Sequence, residues 1–378
     1  MGEAAAEAGG ALAASASRAH GGVSGQLGAG AFIAGCALLA LELGCSGLAA
    51  WLLTVRRFGA LNGAVKGVAL GVLWTLGLIA IQVVPLALGV LTRGTVAIAS
   101  VALLAGAALI PSTRAKQNLP PIASKICRGA GDRASYALAC AGALAFAGFG
   151  VAWLSFNITV HTESVDALSF HFPGVIRYIQ TGSLWHIAQY LPQQAQGNYP
   201  QSGDMLMLAL VLPWHSFAFV RLFDPILLGL AAVAIYALAV ELGAPKPTSV
   251  LAALAVCAIR PTLGAAYIDV LTDPAFLLGF SAGALFLTRH RRTSARADLV
   301  LAGLGFGLAL GTKWYGLTDI PIVVAVWIAA ELLRGRDWRS TARDTLIIAA
   351  VALAAGGVWM LRNWILTGNP VFDYKVAP

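Results

Sequence analysis
The side chains able to do chemistry are concentrated in one stretch. Seven acidic, basic or imidazole residues fall within 157–204, and four of them, His161, Glu163, Asp166 and His171, sit close together at its start. Glu163 and Asp166, three residues apart, project to one side if the stretch is helical. With imidazole nearby, one carboxyl of such a pair can stay ionised as a general base while the other hydrogen-bonds or binds a cation. The competing account is a pair of solvated loop charges. His171, two residues before Pro173, fits a hydrogen-bonded structural histidine as well as a ligand. His161, Glu163, Asp166 and His171 could all ligate a metal ion, so a divalent cation stays open. No HExxH spacing supports one.

Three other pieces of sequence place charge in apolar surroundings. Arg260 ends one hydrophobic run, Asp269 and Asp273 follow it, and Lys313 lies between Gly311 and Gly316 beside Trp314 and Tyr315. Intramembrane charges are costly and mark functional sites by default. Against that stands snorkelling of a long side chain to the interface, and for Arg260 the two accounts are balanced. Lys313, with glycines and aromatic rings around it, forms a seat for a lipid phosphate. Glu42, in the middle of the first hydrophobic run, has no evident partner or role.

The elements that must hold these residues are membrane spans. Of the 378 residues 58% are hydrophobic and 11% charged, with a mean hydropathy of +0.78. Soluble domains carry about 25% charged residues, so the chain reads as an all-α polytopic membrane protein. Its net charge of +8 sits in short clusters between hydrophobic runs, as membrane topology requires, and this excludes a nucleic-acid-binding reading. Cys36, Cys45, Cys140 and Cys257 lie in hydrophobic runs and Cys127 in a basic loop. Without a CxxC spacing, buried free thiols are expected. The Ala-, Gly- and Ser-rich residues 1–26 lack the pattern of a signal peptide and read as a disordered tail.

Runs long enough to cross a bilayer occur at 27–55, 64–92, 95–111, 134–156, 218–242, 248–264, 273–289, 298–313, 316–333 and 344–366, about ten spans. Basic clusters at 56–66, 112–133, 289–296 and 334–343 mark cytoplasmic loops. Parity then puts the long loop 157–204 outside, provided 203–216, too short to span, lies as an interfacial helix. The run 299–333 has basic flanks on both sides and must cross twice, so a tight turn is expected at 311–316. That turn, the stretch 265–273 and the long loop all reach the outer face. The domain reading is a tail, a three-span extension at 27–133 and a catalytic membrane module at 134–378. The segment after Arg362 reads as the start of something longer.

The motifs Asp-Ala-Leu-Ser-Phe-His-Phe-Pro (166–173), Gln-Thr-Gly-Ser-Leu (180–184) and Asn-Tyr-Pro-Gln-Ser-Gly-Asp (198–204) resemble membrane glycosyltransferases of the GT-C type. Gly-Thr-Lys-Trp-Tyr-Gly (311–316) and Arg-Asn-Trp-Ile-Leu-Thr-Gly-Asn-Pro (362–370) are similar to motifs of their bacterial branch, akin to protein O-mannosyltransferases and the lipid A aminoarabinose transferase. The resemblance covers roughly 134–370. It implies a bacterial inner-membrane protein, a polyprenyl-phosphate sugar donor, an active site at the outer face, and an acceptor glycan, lipid or protein that it leaves unspecified. It further implies Asp166 as the acidic catalytic residue of the first outer loop, Asp269 or Asp273 as the acidic residue of the second, and Lys313 facing the lipid phosphate. Glu163, His171 and Arg260 complete the expected substrate-binding set. The rival expectation is a lipid or solute transporter or flippase. Transporters place their charges near the midplane, whereas here they gather toward one face.

Overall fold
Hydrophobic runs interrupted by Pro, Gly and polar turns give a wholly helical chain. The computed structural model describes residues 28–61, 63–112, 130–157, 164–189 and 195–372. Among them are fourteen α-helices and no strand. His161, Glu163, Cys127, most of the loop 112–133 and the N-terminal tail lie outside the described residues.

The first three helices, α1 (Ala29–Arg57), α2 (Gly63–Ala87) and α3 (Arg93–Leu109), pack on one another. Helix α4 (Ala130–Asn157) leads to a π-helical turn (Ala167–His171), the amphipathic α5 (Phe172–Thr181) and α6 (Ser202–Val211). Then follow α7 (Phe223–Glu241), α8 (Lys246–Cys257) and the short α9 (Arg260–Gly264), which continues into a second π-helical turn (Ala265–Asp269). The remainder is α10 (Asp273–Thr293), α11 (Arg296–Thr312), α12 (Gly316–Leu333), α13 (Trp338–Gly356) and α14 (Val358–Thr367).

Helix α11 occupies the centre, buried from Leu299 to Thr312 except at a few positions and packed on α10 and α13. Small residues allow this contact. A Cβ added at Gly279 of α10 would stand 2.7 Å from both the Gly305 carbonyl and the Ala309 nitrogen, closer than real Cβ atoms approach. Backbone proximity of this kind substitutes in membranes for the hydrophobic force between helices. The surface is the reverse of a soluble protein's. Leu48 and Trp51 of α1, Leu144 of α4, Ile322 and Val326 of α12 and Leu353 of α13 point outward, while Glu42, Gln82, Arg289, Asp298 and Asp344 are buried. Glu42 does have a partner: the Gln82 amide of α2 donates to its Oε2 at 2.7 Å.

Each of the ten runs read from the sequence contains helix, yet the count of ten is not reached by length and apolarity. Five helices are long and apolar enough to cross a membrane, or up to seven if two bent pairs are each one span. The bends are 69° between α8 and α9 and 70° between α13 and α14. The expected interfacial helix is also revised. Every residue of α6 is buried, because from Met205 to Val211 the helix is apolar all round and has no polar face to leave in water. Cys36 and Cys140 are exposed on their helices, not buried as expected, while Cys45 and Cys257 are buried free thiols. A hydrophobic run places a thiol in a span without fixing which way it faces.

Charged side chains tie the ends of several helices to one another. Arg56 Nη1 donates to the Ala108 and Ile110 carbonyls at 2.5 and 3.2 Å, joining the ends of α1 and α3. Arg292 binds Glu241 at 2.8 Å, and Arg336 bridges Glu331 and Asp344 at 3.2 and 2.6 Å. Asp273, at the opposite end of α10, faces Lys313.

Candidate active site
Two π-helical turns, uncommon structures that recur at functional sites, frame the polar end of the bundle. The first begins after Asp166 and ends at His171; the second ends at Asp269. Val270 then takes a left-handed conformation (φ 54°) while fully buried. For a β-branched residue this backbone is strained by about 1–3 kcal/mol. It turns the chain from Asp269 into Thr272 and the Asp273-Pro274 opening of α10. A Cβ at Gly203 would overlap Thr272, so glycine is what lets α6 approach this turn.

A cavity of about 270 Å³ lies between these pieces. Asp166, His171, Asp204, Tyr199, Thr272 and Lys313 are on its wall. Asp166 is exposed and His171 buried. His171 Nδ1 stands 2.5 Å from Asp204 Oδ1, with both side chains almost wholly shielded. Asp204 occupies the first turn of α6, where the positive end of the helix favours a carboxylate. Across the cavity, α11 ends at Thr312, Lys313 is extended, and α12 begins at Gly316. This is the tight turn expected from the sequence. Lys313 Nζ is 2.7 Å from Asp273 Oδ2 and 5.9 Å from the centre of the Tyr315 ring. Both members of the Lys313–Asp273 pair are partly exposed, so the pair itself contributes at most about 1 kcal/mol and can be exchanged for a ligand.

Asp269 and Asp273 are not on the cavity wall. Asp269 feels the like charges of Asp166 and Asp273. Arg260 is exposed at the bend between α8 and α9, away from the cavity wall. Glu163 falls outside the described residues. Among the described residues, no three His, Cys, Asp or Glu side chains are grouped to hold a metal ion.

Sequence reasoning passed over three features. Asp204 was counted among the charges of the long loop but given no role. Asp224 is buried, its Oδ2 has no hydrogen bond among the described residues, and it feels the like charge of Asp273. Its signal was legible: Asp224-Pro225 opens α7 as Asp273-Pro274 opens α10. Arg362 is the third. Fully buried, it donates from Nη1 to Tyr178 Oη and Gln201 Oε1, both at 2.9 Å, and from Nη2 to the Gly197 carbonyl at 2.7 Å. Asn363 Nδ2 donates to the Asn198 carbonyl at 2.8 Å. Trp359 Nε1 donates to Ser202 Oγ at 2.9 Å. The motif 362–370 thus fastens the motif 198–204, which forms one cavity wall.

Residues 197–370 match the model of the dolichyl-phosphate-mannose-protein mannosyltransferase family. No curated protein and no solved structure matches the chain. The matched segment contains Asp204, Asp269, Asp273, Lys313 and Arg362 and ends with the motif that fastens the cavity wall. This match and the all-α polytopic fold support a GT-C type membrane glycosyltransferase that draws its sugar from a polyprenyl-phosphate-linked donor.

Proposed function
We infer that the chain transfers a sugar from its lipid-phosphate donor to a hydroxyl-bearing acceptor at the outer face of a bacterial inner membrane. One observation carries the reading: Asp166 and Lys313, 147 positions apart in the sequence numbering (313 − 166), line one cavity at the polar end of the bundle. In this reading the donor phosphate sits at Lys313, displacing Asp273 from its ammonium group. Asp166, at the exposed side, takes the proton of the acceptor hydroxyl. The acceptor oxygen bonds to the anomeric carbon as the bond from that carbon to the phosphate oxygen breaks. The polyprenyl phosphate keeps the electron pair, and the configuration inverts. Fixed cations beside a developing phosphate charge are the kind of group that contributes most in a site shielded from water. The acceptor is a glycan, lipid or protein. A transporter is disfavoured because the ionisable groups of the cavity lie where helices begin and end, Asp204 in the first turn of α6 and Lys313 between α11 and α12, and transporters place theirs on broken helices near the midplane.

The test is direct. Purified protein in lipid nanodiscs is incubated with a panel of radiolabelled polyprenyl-phosphate sugars and membrane-extract acceptors. Label should move from the donor to a chromatographically distinct product for at least one sugar and stay on the donor for a heat-denatured control. Retention of label with every donor would reject the transferase reading.

A further inference from the structure
The charges around the cavity do not balance for an anionic guest unless His171 carries one. Lys313 is already met by Asp273 at 2.7 Å. Asp166 and Asp204 are also on the wall. A donor phosphate entering among these groups would meet two carboxylates and one committed ammonium. His171 is placed to change this. It is buried, its Nδ1 is held by Asp204 at 2.5 Å, and its other ring nitrogen makes no hydrogen bond to a described residue. The Phe170 ring lies against the imidazole, with centroids 4.0 Å apart, so the ring has little freedom to turn.

We propose that His171, held as an imidazolium by Asp204, donates Nε2–H to the phosphate of the lipid donor, and that the two residues work as one phosphate-recognition pair opposite Lys313. The proposal rests on the transferase reading and deepens it. A buried carboxylate is costly unless paired, and a charge-assisted hydrogen bond from imidazolium to carboxylate is the pairing the geometry provides. His171 keeps its proton throughout. Asp166 takes the acceptor's proton, the phosphate leaves with the bonding pair, and His171 and Lys313 hydrogen-bond its oxygens. The ionisable groups that share the cavity wall with His171 are Asp204 from α6, Asp166 before its own turn, Lys313 and Tyr315 from the 311–316 turn, and Tyr199.

The experiment uses a fluorescent decaprenyl phosphate analogue and the corresponding uncharged decaprenol, titrated into full-length protein in nanodiscs at one fixed pH. His171→Gln, which keeps a hydrogen-bond donor without the charge, should bind the phosphate about tenfold or more weakly than wild type, the size of one charge-assisted hydrogen bond. It should bind the alcohol as wild type does. In an Asp204→Asn background the same substitution should cost less, because the two residues act as a pair, a coupling selective for the phosphate that a purely structural role would not produce. Equal losses for phosphate and alcohol, or a His171→Gln variant that binds the phosphate as wild type does, would overturn the assignment. Failure of the wild type to transfer sugar from any donor would instead remove the transferase reading, and it is seen before any variant is made.

Discussion

At the scale of single residues, Asp166 and Lys313 divide the work of the cavity between acceptor and donor. An acceptor hydroxyl is a weak nucleophile at neutral pH, and a positioned carboxylate contributes about 10²–10⁴-fold as general base. Asp166→Asn keeps the size of the side chain and removes the basic oxygen. Because Asp166 is exposed, the substitution should leave the fold intact. Transfer is expected to fall by about a hundredfold or more with donor affinity little changed; near-normal transfer in variants matched for expression would return Asp166 to the status of a surface charge. Lys313→Gln should weaken donor binding by about tenfold or more, the loss of one charged hydrogen bond, whereas Lys313→Arg should keep part of it. Unchanged affinity of Lys313→Gln for a fluorescent donor analogue would favour snorkelling over a phosphate role. Asp273→Asn complements these, since it frees the ammonium group that Asp273 now holds at 2.7 Å.

Between helices, the cavity depends on a fastening that touches no substrate. Arg362 joins α14 to the segment 197–201 through neutral acceptors and lies over the Trp359 ring, 5.1 Å from its centre. No ion pair of Arg362 occurs among the described residues. Its contribution is therefore geometric: a planar fork reaching two sides of a loop at once, which a lysine cannot copy. Arg362→Lys would leave buried acceptors without donors, at about 1–3 kcal/mol each. The expected result is a lower thermal unfolding midpoint in detergent together with weakened transfer. A variant as stable as wild type would show that the loop holds itself. The 70° bend between α13 and α14 is what turns Arg362 and Asn363 toward the loop, so the bend belongs to the site as much as the side chains do.

For the whole molecule, the two-ended sorting of charge makes sidedness testable. Arg339, exposed after the α12–α13 turn, belongs to the end that carries the Arg291–Glu331 and Arg336–Asp344 pairs. Pro370, exposed after α14, belongs to the end with the cavity. In a background lacking the five native cysteines, Pro370→Cys should react with an impermeant maleimide added to intact cells. Arg339→Cys should react only after the membrane is opened. The opposite pattern would invert the orientation and move the active site to the cytoplasmic face. One hydrophobic core includes Val68 and Leu78 of α2 along with Leu208 of α6 and Phe306 of α11. The first three helices therefore share their packing with the rest of the chain.

The sequence by itself determined what depends on local chemistry. Apolar runs and arginine clusters marked the helical segments and their sorting to two ends, because burial in lipid and the placement of cations are decided within a few turns of chain. The glycines around Lys313 marked the 311–316 turn. Asp166 and Lys313 stood out because a charge in apolar context is conspicuous at the position it occupies. Only the tertiary structure decided which groups meet. His171 and Asp204 are 33 residues apart, Asp273 and Lys313 are 40 apart, and Asn198 and Asn363 are 165 apart. Those meetings follow from close glycine contacts, two bends and two π-helical turns, none of which has a periodic signature in the sequence. Helix α6 shows the limit in the other direction: its length pointed to the interface, but its lack of a polar face sent it to the core. Hydropathy assigns a residue to apolar or polar surroundings, and packing then selects its neighbour.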